Sequence, residues 1–154
     1  MDSTTAWFAW GPPFVLSDAK QLVQSTAEKH DFAHAAKLTT TRQGRPVPML
    51  RIGPKLSDAE ASRDGVWIQA RQHAWESGSS WVCAGLVNWL VSDRERAERL
   101  RNQTAVYIVP IMDVDNVQLG AGGKGQKPQD HNRDWSADPH WPSVRAAQQQ
   151  IKRM

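Results

Sequence analysis

Residues 104–112 read TAVYIVPIM, a stretch without a single charged side chain. Such a run cannot alternate between a wet and a dry face, so a strand built from it has to be covered on both sides. The rest of the chain must be laid around one interior strand, with helices over its sheet. Upstream, residues 65–70 (GVWIQA) make a shorter strand of buried character. Between the two lies a helical pattern from Ser79 or Ser80 to Ser92, with Val82, Leu86, Trp89 and Leu90 on one face. A second, mostly exposed helix follows over Asp93 to Asn102. Strand, helix, strand in that order predicts parallel pairing. The expected fold is α/β, a mixed and mainly parallel sheet flanked by helices.

Towards the N-terminus, Ser17 is placed to cap a helix that carries Leu22, Val23 and Ala27 and reaches about Lys29, where His30 and Asp31 end it. Lys37 to Arg42 and Pro46 to Ile52 flank Gln43-Gly44-Arg45, the pattern of two antiparallel strands around a short turn. Pro54 to Asp64 is polar and reads as a loop. From Asp113 to Trp141 the chain turns to Gly, Pro, Asp, Asn and His without periodicity, a length that connection alone does not require. Pro142 opens a last helix.

With 154 residues, 40% hydrophobic and 23% charged, the chain suits one domain that buries about 70% of its unfolded surface. Collagen, a disordered tail and a multidomain assembly are excluded. The net charge of +3 is dispersed. Its densest basic stretch, Arg94 to Arg101, is interleaved with Glu95 and Glu98 at helical spacing, which describes a solvated helix face and not a nucleic-acid site. The single cysteine, Cys83, lies in an apolar run and is expected as a buried thiol. No apolar stretch approaches the roughly 18 residues that span a bilayer, and the N-terminus lacks a basic signal region. The expectation is a cytoplasmic protein with neither nucleic acid nor membrane as partner.

Two short segments carry chemistry. His73 and Glu76 stand three residues apart directly after the first buried strand, both good zinc ligands held by a rigid strand end. Asn132 and Arg133 follow the second strand, and an amide beside a guanidinium can grip a carboxylate. In α/β sheets, ligands gather beyond the carboxyl ends of the parallel strands, where both segments fall. The plainer alternatives are a hydrogen-bonded loop pair for His73 and Glu76, and an ion pair of Arg133 with Asp130 or Asp134. Trp75 and Trp135 can equally line a cleft or fill a core.

Ala70-Arg71-Gln72-His73 with Glu76 and a Ser-rich helix start, then Tyr107-Ile108-Val109-Pro110, then Asn132-Arg133-Asp134-Trp135, resembles the zinc carboxypeptidase family. The similarity is greatest to its cytosolic carboxypeptidase-like branch, whose segments read A-R-x-H-P-G-E-x-x-S-S, V-P-x-x-N-P-D-G and D-L-N-R-x-W. It runs from about Trp10 to Trp141. The resemblance implies that His73 and Glu76 are two of three zinc ligands and that Asn132 and Arg133 hold the substrate's terminal carboxylate. Family chemistry is metal-assisted hydrolysis, with a carboxylate as general base and a basic side chain on the oxyanion.

Departures from the pattern shape the expectation. Ala74-Trp75 replaces Pro-Gly, and Asp113-Val114-Asp115-Asn116 replaces Asn-Pro-Asp-Gly. The oxyanion role falls by analogy to Lys124, with Lys127 as the alternative, in a loop reading Gly122-Gly123-Lys124-Gly125. The third ligand and the general base of the family lie further downstream than this sequence reaches, and His30, His34, His131 and His140 are read as surface or loop histidines. Residues 1–154 thus resemble the N-terminal portion of the catalytic domain. The expected function is removal of C-terminal residues from peptide or protein tails, with little zinc retained and no activity by this chain alone. The rival is a noncatalytic module that binds peptide C-terminal carboxylates.

Overall fold

A computed structural model describes residues 11–54 and 65–154. Helix α1 (Leu16–Lys29) precedes strands β1 (Ala33–Thr40), β2 (Pro46–Ile52) and β3 (Gly65–Gln69). Helices α2 (Ser77–Leu90) and α3 (Glu95–Gln103) then lead into strand β4 (Ala105–Val109). Helix α4 (Val114–Leu119), a short 3-10 helix over His131–Arg133 and helix α5 (Pro142–Ile151) follow. The Pro54 to Asp64 loop lies outside the described residues apart from Pro54.

The four strands form one sheet in the order β1-β2-β4-β3. Strand β4 is the interior strand that its composition demands, and all five of its residues are buried. Both of its faces are apolar. Ala105, Tyr107 and Val109 pack with Phe14, Met49 and Ala147, while Val106 and Ile108 pack with Cys83, Val87 and Leu90. The sheet is mixed, but parallel pairing is confined to β3 and β4, since β1–β2 and β2–β4 are antiparallel. The expected predominance of parallel strands is corrected here because the β1–β2 hairpin lies on the far side of β4.

Local chemistry accounts for the other adjustments. Val15 and not Ser17 precedes the first helical residue, because the Asp18 carboxylate takes the Val15 N–H at 2.7 Å. The hairpin turn closes as expected, with Thr41 N–H bonded to Arg45 O at 2.8 Å and Gly44 at φ +77°. Strand β3 is half-buried instead of buried, because among the described residues it has β4 as its one neighbour. Helix α2 turns Ser80, Cys83, Ala84, Val87 and Leu90 inward and leaves Val82 73% exposed. The expected stripe is rotated because the buried Ser80 hydroxyl donates to Pro110 O at 2.7 Å and small residues let the helix lie close to the sheet. On α3, Arg99 pairs with Glu95 at 2.6 Å in solvent. Arg101, by contrast, is buried against the Phe32 ring and donates to Leu90 O and Ser92 O. Cys83 is a free, buried thiol whose pKa burial lifts to about 11. Among the described residues no helix is long and apolar enough to cross a membrane.

Candidate metal and carboxylate site

Parallel pairing does not stop where β3 ends. Ala70 N–H bonds to Val109 O, and the N–H groups of Met112 and Asp113 bond to Ala70 O and Arg71 O, so both strand ends are held together at one rim. Arg71 then adopts φ 58°, the left-handed region, at a cost of about 1 kcal/mol for a side chain with a Cβ. Its own contacts hold it there. The backbone N–H reaches Ser79 Oγ, and the buried guanidinium donates to Phe14 O at 2.8 Å and to Ala74 O. Burial lowers the pKa of this guanidinium, against the opposing pull of Asp113 and Glu76. The turn that follows is closed by Glu76 N–H on His73 O and by the Ser79 N–H and hydroxyl on Glu76 O.

This turn brings the His73 ring into an acidic vice. Nδ1 lies 3.1 Å from Glu76 Oε1, and Nε2 lies 2.9 and 3.2 Å from the two oxygens of Asp130. Burial works to lower the His73 pKa, but the hydrogen bonds to Asp130 and Glu76 prevail and raise it. Burial likewise works to raise the Asp130 pKa, yet the N–H groups of Gly125 and Asn132 and the His73 imidazole hold it down at about 2. The protonated ring donates to both carboxylates, and on loss of one proton the ionised Asp130 keeps the other on Nε2, which leaves an Nδ1 lone pair free for a metal.

The donor chemistry fits zinc at two positions. Two ligands about 2.0 Å from one tetrahedral zinc lie about 3.3 Å apart, close to the 3.1 Å between Nδ1 and Oε1. Glu76 is 52% exposed, so its carboxylate faces open space beyond the buried imidazole. Among the described residues no group of three or more His, Cys, Asp or Glu is placed to hold a metal ion.

The second segment meets the first through specific bonds. Gln72 donates from Nε2 to Asn132 Oδ1 at 2.9 Å and accepts the Trp135 indole N–H at 2.6 Å. Asn132 and Arg133 stand on the 3-10 helix capped by Asp130. Arg133 is exposed, and neither aspartate considered as its partner is engaged with it. Asp130 serves His73, and Asp134 accepts the N–H groups of His140 and Trp141 at 2.9 and 2.7 Å. The glycine loop joins the same rim. Gly122 O accepts the Trp75 N–H, and a Cβ at Gly123, where φ is +81°, would come within 2.8 Å of Ala74 N and 2.7 Å of Asp113 Oδ2. Lys124 is exposed between Gly123 and the Asp130-bound Gly125. Trp75 and Trp135 are both exposed, so neither fills the core.

His131 departs from its expected surface position. It is 2% exposed, bonds Ser143 Oγ at 2.8 Å and stacks on Trp141, and burial lowers its pKa to about 4. Trp141 and Ser143, at the start of the last helix, cover it, which its polar sequence neighbours conceal. Sequence reasoning also missed two organising residues, Asp130 and Gln72. Asp130 had a signal, since an aspartate two residues ahead of Asn132 can cap the turn. Gln72 had none, because its partners are brought to it by the fold.

Solved structures similar to this arrangement of sheet and helices include metallocarboxypeptidases. The metallo-carboxypeptidase of Burkholderia cenocepacia matches with a TM-score of 0.79 and 28% identity over 91% of this chain and 38% of its own. That of Pseudomonas aeruginosa, solved with (2-guanidinoethylmercapto)succinic acid, gives 0.76 and 28% over 92% and 37%. The chain belongs to the zinc carboxypeptidase family, which residues 19–152 match. Cytosolic carboxypeptidase 6 of Caenorhabditis elegans is 31% identical over 142 residues, 90% of this chain and 31% of that protein. Its Homo sapiens counterpart is 28% identical over 151 residues, 96% and 30% of the two chains. This chain therefore spans about a third of the length of these two relatives.

Proposed function

We propose that the chain forms the part of a zinc carboxypeptidase site that seats the metal and receives the substrate's chain end, in hydrolysis that removes C-terminal residues from peptide or protein tails. His73 through Nδ1 and Glu76 through its carboxylate hold zinc. When bound, the metal polarises a scissile carbonyl and acidifies a water. Asp130 holds the Nε2 proton and so fixes the ring in the orientation that presents Nδ1. Arg133 grips the terminal carboxylate as a fork, with the Asn132 NH₂ beside it. Lys124 steadies the developing oxyanion as a point charge. The observation that carries this reading is the imidazole held by Asp130 and facing Glu76, bonded through shared neighbours to a segment whose Arg133 has no carboxylate partner among the described residues.

The described residues supply two donors where a catalytic zinc takes three, so these residues by themselves hold zinc weakly. That shortage favours a second reading, in which the chain binds C-terminal carboxylates without cleaving them. Calorimetry with a short peptide and its C-terminal amide, with and without zinc, separates the two. Preference for the free acid that grows with zinc supports the hydrolase lineage, and preference indifferent to zinc supports the binding module. Equal affinity for acid and amide contradicts both. We place the protein in the cytoplasm, a placement supported by the names of its cytosolic relatives.

A further inference from the structure

We propose that Gln72 is a positioning residue for terminal-carboxylate recognition, acting by fixing which end of the Asn132 carboxamide faces the substrate. The inference rests on the role given above to Asn132. It follows from donor and acceptor chemistry alone. An indole N–H can only donate. The Trp135 indole lies 2.6 Å from Gln72 Oε1, so that oxygen is the acceptor and the opposite end of the amide, Nε2, is turned to Asn132. Nε2 can only donate, and it lies 2.9 Å from Asn132 Oδ1. The Asn132 oxygen is thereby held towards Gln72. Its NH₂, which has no partner among the described residues, is left to donate to an anion. A carboxamide is nearly symmetric in shape and is oriented by its hydrogen bonds. Without Gln72 the amide turns freely and presents an oxygen, which repels a carboxylate, as readily as a donor.

Backbone position is not what Gln72 supplies, because the Asn132 N–H is separately held by Asp130 Oδ1 at 2.9 Å. Its contribution is side-chain orientation, passed from Trp135 through Gln72 to Asn132. Since Gln72 immediately precedes His73, the turn that presents the imidazole also orients the carboxylate clamp.

Calorimetry on wild type, Gln72→Met, Asn132→Ala and the double variant tests this, using one short peptide and its C-terminal amide. Methionine keeps the length of glutamine and removes both polar ends. Gln72→Met is expected to raise the Kd for the free acid about tenfold, the worth of one hydrogen bond to a charged group, and to leave the amide Kd unchanged. In the Asn132→Ala background the same change adds nothing, because Gln72 acts only through Asn132. The Trp135 indole N–H resonance moves upfield in Gln72→Met while the rest of the spectrum is retained. Gln72→Leu, should the methionine variant fold poorly, is held to the same pattern. An unchanged acid Kd in a folded variant, an equal loss for acid and amide, or an equal loss without Asn132 overturns the proposal. A wild-type chain that binds acid and amide alike overturns the clamp reading instead, and the positioning role falls with it.

Discussion

Protonation of His131 should destabilise this protein over a defined pH window. The ring is buried beneath Trp141 with Ser143 Oγ on Nε2, and its pKa is lowered to about 4 from an ordinary value of 6.5. Between those values the unfolded chain takes up a proton that the folded chain refuses. Stability contributed by the neutral ring is therefore complete above about pH 6.5 and is lost as pH falls through 4. A separation of 2.5 pH units corresponds to about 3 kcal/mol, a large part of the 5–15 kcal/mol typical of a domain. His73 works in the opposite sense. Its raised pKa adds stability that fades above 6.5 and is full below it, so its contribution is constant through the window and leaves the His131 slope unaltered there. Asp130, held at about 2, contributes in full above its ordinary range and weakens only below about pH 4, outside the window. Urea unfolding at pH 7.5, 6.0, 5.0 and 4.0 reads the slope directly. His131→Gln, which cannot titrate, should start less stable and show a flatter profile by about 3 kcal/mol. Identical slopes for variant and wild type would refute the reasoning, because the lost stability would then arise elsewhere.

Two further substitutions probe the rim. In Asp130→Asn one oxygen must serve where two now accept from His73, Asn132 and Gly125, and zinc affinity measured against a competing chelator should fall about 10- to 100-fold. An unchanged affinity would mean that Asp130 does not orient the ligand. Gly123→Ala puts a Cβ against Ala74 N and Asp113 Oδ2 at a positive φ, so thermal unfolding should show a loss of about 1–3 kcal/mol. Wild-type stability would show that the loop is not packed on the His73 turn.

What could be read from the sequence was local. The uncharged run at residues 104–112 announced β4, and the Gly44 turn announced its hairpin, because each depends on neighbours within a few residues. His73, Glu76, Asn132 and Arg133 stood out for the same reason. The rotation of α2 was hidden because it is set by Ser80 bonding Pro110 across the sheet. The half-exposure of β3 depends on strand order, which no local pattern states. His131 looked like a loop histidine because its burial comes from Ser143 and Trp141, which pack on it only after the last helix docks. Asp130 and Gln72 act across the gap between the two segments, and their roles exist only once the strand ends are side by side.

The most direct test of the account is the nitrogen spectrum of the His73 imidazole during a zinc titration. With Asp130 holding the Nε2 proton, zinc should shift Nδ1 while Nε2 keeps its proton signal, and Glu76→Gln should weaken the response. Zinc entering at Nε2, binding another histidine first, or leaving the His73 signals unmoved at millimolar concentration would contradict it.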